Sequence, residues 1–66
     1  MNTMVLVRVV YSQGMVRRFA VQSEMSVLDF ARAVGQHGKV RSVSGLIEVG
    51  AQYDEPGLTR LEPKSR

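Results

Sequence analysis

The chain has no cysteine and a single histidine, His37, among its 66 residues. Without cysteine there are no disulfides to brace a small fold, and no thiolates to hold zinc or an iron–sulfur cluster. One histidine without cysteine neighbours does not make a zinc site, so neither a metal nor a cofactor is expected. Long hydrophobic runs are also missing. The apolar stretch from Met4 to Val10 is interrupted by Arg8 and is far shorter than the roughly 20 residues a bilayer span requires. It has no basic segment before it and no small-residue cleavage site after it, so it does not read as a signal peptide, and a cytoplasmic location is expected. The excess of one charge sign is small. A net charge of +3 favours contact with nucleic acid or an acidic partner but specifies neither.

What is present is the composition of a folded domain. A hydrophobic fraction of 44% with 23% charged residues sets the chain apart from disordered sequences. Its length makes one domain, residues 1–62, followed by a frayed basic tail, Pro63 to Arg66. A chain of this size buries only about 60% of its unfolded surface, so its stability is marginal.

Val5, Leu6, Val7, Val9 and Val10 are β-formers around Arg8 and predict a strand over 4–10. Tyr11-Ser12-Gln13-Gly14 supplies turn chemistry, and 15–21 forms the second strand of a hairpin. Alternation places Val5, Val7, Val9, Phe19 and Val21 toward the core and Arg8 with Arg18 on the open face. A helix follows over 27–34. Ser26 is its N-cap, Asp29 sits where the helix dipole favours an anion, and Val27, Phe30, Ala31 and Val34 make an apolar stripe. Gly35 is placed to end it. Beyond the Gln36-His37-Gly38 loop, one or two short strands are expected, over 39–43 and 46–49, with Ser44-Gly45 as a turn between them. Asp54-Glu55-Pro56-Gly57 reads as a solvated turn, and Leu58 and Leu61 as anchors of a short last turn. The fold class is therefore a small α+β domain.

A hairpin followed by a helix lying across it resembles the opening of the ubiquitin-like β-grasp fold. Val5, Val7, Val9, Gly14, Val21, Val27, Phe30 and Val34 match the spacing of that family's core, and Leu46 to Tyr53 resembles its later strand and glycine turn. Ser26 to Ala31 is similar to the helix start of the TGS domain, a β-grasp relative found in RNA-linked proteins. The resemblance covers about residues 4–58 as a pattern. Two features depart from it. Arg17 stands where the family has a core aliphatic, which implies either a snorkelling side chain or a bulge. On this resemblance the chain is also too short for the family's last strand, which lies beside the first. The first strand would then lack a neighbour on one side. Three arrangements repair this: Leu46–Val49 moves in beside it, a second hairpin gives ββαββ, or another chain adds a strand.

Catalytic groups are sparse. His37 lies in a loop with no nucleophile placed near it, the acidic residues read as turn and cap charges, and no Gly-Lys-Ser/Thr follows Gly35 or Gly38. An enzyme is not expected. The C-terminal Gly-Gly of the family's modifiers and sulfur carriers is absent, which argues against conjugation chemistry. Two surfaces remain. Leu6, Arg8, Val10, Arg18 and Ile47 share the sheet face away from the helix, and Ile47 matches the centre of ubiquitin's recognition patch. They form either a partner-binding face or a surface covered by the C-terminal segment. The expected function is a non-catalytic protein-interaction module, an accessory or regulatory subunit binding a protein partner or a second copy through this face or an open strand edge. The alternative is a small basic RNA- or DNA-binding module using the arginines with Tyr11 nearby.

Overall fold

The structure, a computed structural model, describes residues 3–62. The basic tail expected at 63–66 lies outside the described residues. Five elements follow one another: strand β1 (Thr3–Tyr11), strand β2 (Val16–Gln22), helix α1 (Val27–Gly35), strand β3 (Val40–Gly50) and strand β4 (Leu58–Leu61). They form one mixed sheet in the order β3-β1-β2-β4. β1 is antiparallel to both β2 and β3, and β4 runs parallel to β2. This is the α+β domain expected: an N-terminal hairpin, one helix, then further strands.

The hairpin is regular. Seven consecutive pairs join β1 to β2, from Met4 opposite Gln22 to Val10 opposite Val16. The turn is tighter than expected, because Tyr11 belongs to β1 and its N–H donates to Met15 O at 2.8 Å. Gly14 closes the turn at φ 95°, a conformation only glycine adopts without strain. Since the β1–β2 register has no shift, Arg17 is not the site of a bulge. It lies opposite Val9, half-buried, with its Nε enclosed and without a partner.

α1 begins where expected. The Ser26 side chain accepts a hydrogen bond from the Asp29 N–H at 3.1 Å. Its end differs. Gly35 is helical and Gln36 is the C-cap, its N–H directed to the Ala33 and Val34 carbonyls. The buried stripe is also narrower than the spacing suggests. Val34 is buried and Phe30 half-buried, but Val27 is 83% exposed and Ala31 faces solvent. A helix this short covers only part of a four-stranded sheet, so its first turn projects beyond the packed core. That core joins Val7, Val9, Tyr11, Phe19, Val21 and Val34, with Val5, Met25, Phe30, Val40 and Leu61 packed around them.

The second half departs most from expectation. The segments 39–43 and 46–49 are not two strands joined at Ser44-Gly45. They are one eleven-residue strand, β3, running along β1. Leu6 lies opposite Ile47 and Arg8 opposite Ser44, so Gly45 and Leu46 together face Val7. This is a β-bulge, and Gly45 takes φ 72°, as the extra residue of a glycine bulge does. A Cβ there would meet nothing closer than Arg8 Cβ at 3.8 Å, so the cost of a side chain is conformational rather than steric. Gly45→Ala is expected to destabilise the fold by about 1 kcal/mol, read as a lower urea midpoint. An unchanged midpoint would mean the bulge is not held.

β1 is thus paired on both sides, and the expectation of an open first strand is overturned. Of the three repairs, Leu46–Val49 has moved in beside it. Leu58 and Leu61 are not a turn but lie in β4, with Arg18 opposite Leu58 and Val21 opposite Leu61. The architecture is compatible with a β-grasp, yet its parallel pair is β2–β4, whereas that family sets its last strand beside the first.

Candidate functional site

The two faces of the sheet have different coverings. Val5, Val7, Val9, Tyr11, Phe19 and Val21 face α1. Leu6, Arg8, Val10 and Arg18 alternate with them and occupy the opposite face, where register places Ile47 beside Leu6 and Arg8 beside Arg18. The five residues expected to share a face therefore do so. They are not equally available. Arg8 and Ile47 are exposed, the latter at 59%, while Leu6 and Val10 are half-buried.

The connection between β3 and β4, residues 51–57, is fastened to two arginines of this sheet. It runs from one edge of the sheet to the other across this face. Arg60, opposite Ala20, donates from Nη1 to Tyr53 O and from Nη2 to Ala51 O, each at 3.1 Å. Arg18 forms an ion pair with Glu55, whose other oxygen accepts from the Tyr53 hydroxyl. On the same face Met4 and Ala20 are fully buried. Asp54, Pro56 and Gly57 are exposed, as a solvated turn requires, while Glu55 is half-buried and anchors the segment as a strap.

The charges along the strap stabilise one another. The Tyr53 hydroxyl, then Arg18, holds the Glu55 carboxyl below its ordinary value of 4.5, although burial opposes this. Tyr53 is pushed above its usual range, first by its hydrogen bond to Glu55. A lowered carboxylate contributes stability above its unfolded pKa, and that contribution is lost as pH falls through the folded value. Glu55→Gln removes the ion pair. The amides of Tyr53 and Leu58, which donate to Gly50 O and Glu55 O, are expected to exchange faster with solvent in that variant. Exchange rates equal to wild type would show that the strap is held by other contacts.

Two consequences follow for the basic face. Of the arginines on it, Arg18 and Arg60 already have partners in the strap. Tyr11, expected near this face as a stacking aromatic, is instead fully buried on the helix side, its hydroxyl donating to Val34 O at 2.8 Å. His37 also has a packing role. Its ring lies 6.4 Å from Tyr11 and 6.0 Å from Phe19, centroid to centroid.

β3 is the feature that sequence reasoning missed. It lies at the sheet edge, and nine of its eleven residues are exposed. Val43, Leu46 and Ile47 are 41%, 71% and 59% exposed. On the helix side, α1 leaves β3 uncovered, and a groove of about 220 Å³ opens between them, lined by Val5, Val7, Val27, Phe30, Val43 and Leu46 among others. The bulge carries the missing signal, because the extra residue turns Leu46 to the same side as Val43. Read with strict alternation, the two lie on opposite faces.

Among the described residues no three His, Cys, Asp or Glu side chains gather as a metal site requires. No helix there is long and apolar enough to cross a membrane. Comparison with protein-family models, with curated proteins and with solved structures finds nothing that matches this chain.

Proposed function

We propose that this protein is a non-catalytic, β-grasp-like protein-interaction module, an accessory or regulatory subunit that binds through β3 and the exposed part of the adjoining open face. One observation carries the reading: an eleven-residue edge strand that presents Val43, Leu46 and Ile47 to solvent. Edge strands of this length with apolar flanks invite pairing, and soluble proteins ordinarily keep them short or charged. β4, at the other edge, has four residues. Strand addition recognises such an edge through the main chain, with flanking side chains setting specificity. Within the face first identified, Ile47 and Arg8 are the contact residues. Leu6, Val10 and Arg18 support them from beneath or beside the strap.

Nucleic-acid binding is the weaker reading, since Arg18 and Arg60 are engaged by the strap and Tyr11 is not available for stacking. The test is capture from nuclease-treated lysate of the producing cells, comparing wild type with Leu46→Asp and Ile47→Asp. Both residues are exposed, so the fold should tolerate the change. Loss of the same captured proteins in both variants is the expected result. Capture that is insensitive to both substitutions, or abolished by nuclease alone, contradicts the reading.

A further inference from the structure

The occupant of the β3 edge can be specified from the backbone. Hydrogen-bonding groups alternate between the two sides of a strand. The Tyr11 N–H and Thr3 C=O bond on the β2 side, to Met15 and Ser23, whereas the Ser12 N–H turns the other way and donates to Lys39 O. The even-numbered residues Met4, Leu6, Arg8 and Val10 therefore direct their groups at β3. Their partners there are Val49, Ile47, Ser44 and Ser42. It follows that Val43, Leu46 and Glu48 direct theirs outward, away from the sheet, while a second register shift between Val10 and Tyr11 sets Val40 and Arg41 together opposite Tyr11, so that Arg41 closes the run as an extra residue. The bulge at Gly45 shifts this outward set from odd to even numbers part-way along the strand.

That shift restricts how a second copy can pair. In an antiparallel pair, outward residues must face outward residues. A two-fold axis between Ser44 and Gly45 meets this requirement on both sides of the bulge. It sets Val43 opposite Leu46 of the second copy, and brings Arg41, beside the second shift, alongside Glu48. Apolar then meets apolar, cation meets anion, and each contact occurs twice by symmetry. The two Gly45 bulges lie side by side at the axis, and the second shift, at Val40 and Arg41, falls at the outer end of the paired segment. Moving the register to place Val43 opposite Glu48 sets an apolar side chain against a carboxylate and leaves Leu46 opposite Gly45, outside the outward set. The strand is complementary to itself in one register.

We propose that two copies of this chain associate through their β3 edges in that register, joining two four-stranded sheets into one of eight strands. The Val43 and Leu46 side chains of both copies then form a continuous apolar strip on the helix side, next to the grooves beneath Val27. This inference rests on the reading of β3 as the contact surface and names its partner.

Sedimentation equilibrium from about 1 μM to about 1 mM spans the affinities expected of a modest interface. Wild type should pass from monomer to dimer. Arg41→Glu and Glu48→Arg each place like charges together twice and should weaken the dimer about tenfold. Combining the two swaps in one chain restores opposite charges and should recover association. Both residues are exposed, and circular dichroism is the check that each variant is folded. A monomer throughout, or a dimer indifferent to the single swaps, overturns the self-pairing. The wider reading is judged separately, by the lysate capture, so a monomer that still loses its partners on Leu46→Asp and Ile47→Asp refutes the second copy alone.

Discussion

Phe19→Ala is expected to remove a large share of the protein's stability at 25 °C. Phe19 is fully buried at the centre of the core, opposite Val7 in β1 and Thr59 in β4, with the His37 ring against it. Removing a buried phenyl ring costs about 3–5 kcal/mol, from lost burial and from the cavity left behind. A domain of this length has a total stability of about 3–10 kcal/mol. No disulfide offsets the loss, because the chain has no cysteine. Far-ultraviolet circular dichroism with urea titration reads the effect directly. A variant with a wild-type midpoint would show that Phe19 does not organise the core.

Tyr11→Phe should cost about 1–2 kcal/mol, the second largest effect. The ring stays and packs as before, so the loss isolates one buried hydrogen bond, from the hydroxyl to Val34 O at 2.8 Å. That bond fastens β1 to the end of α1. The Val34 carbonyl keeps the N–H of His37 at 3.3 Å, so it is not left bare and the cost stays moderate. Burial also raises the Tyr11 pKa above its ordinary 10.0, with Arg17 opposing the shift. A phenol whose folded pKa is raised stabilises the fold fully below its unfolded pKa, and this contribution is lost as pH rises through the folded value. Wild type should therefore weaken above about pH 10 more steeply than Tyr11→Phe. Parallel pH profiles for the two proteins would contradict the buried bond.

The parts of the fold legible in the sequence are those governed by local pattern. Alternation identified Val7, Val9, Phe19 and Val21 as core, and Ser26 with Asp29 marked the start of α1. The errors lie where pattern and tertiary context disagree. Val27 has the right spacing for a buried stripe, yet a nine-residue helix does not reach across the sheet to cover it. Tyr11 sits next to turn residues, and only the distant Val34 carbonyl explains its burial. Ser44-Gly45 has the composition of a two-residue turn, but between two segments that both pair with β1 the same glycine serves as a bulge. That one reassignment converted two short strands into a long edge and moved Leu46 beside Val43. The face of Leu6, Arg8, Val10, Arg18 and Ile47 was correctly grouped by alternation. Its partial covering was not legible, because the Arg18–Glu55 and Arg60–Tyr53 contacts join residues whose proximity depends on a parallel β2–β4 pair.

Amide hydrogen exchange along β3, measured at low and high protein concentration, tests most directly whether this edge is a contact surface. The N–H groups of Val43, Leu46 and Glu48 point outward, while those of Ser42, Ser44 and Ile47 are bonded to β1. In dilute solution the outward set should exchange fast and the inward set slowly. At high concentration the outward set alone should gain protection, because only pairing along the edge supplies it with acceptors. Outward amides that exchange equally fast at every concentration, with partner proteins absent or added, would contradict the account.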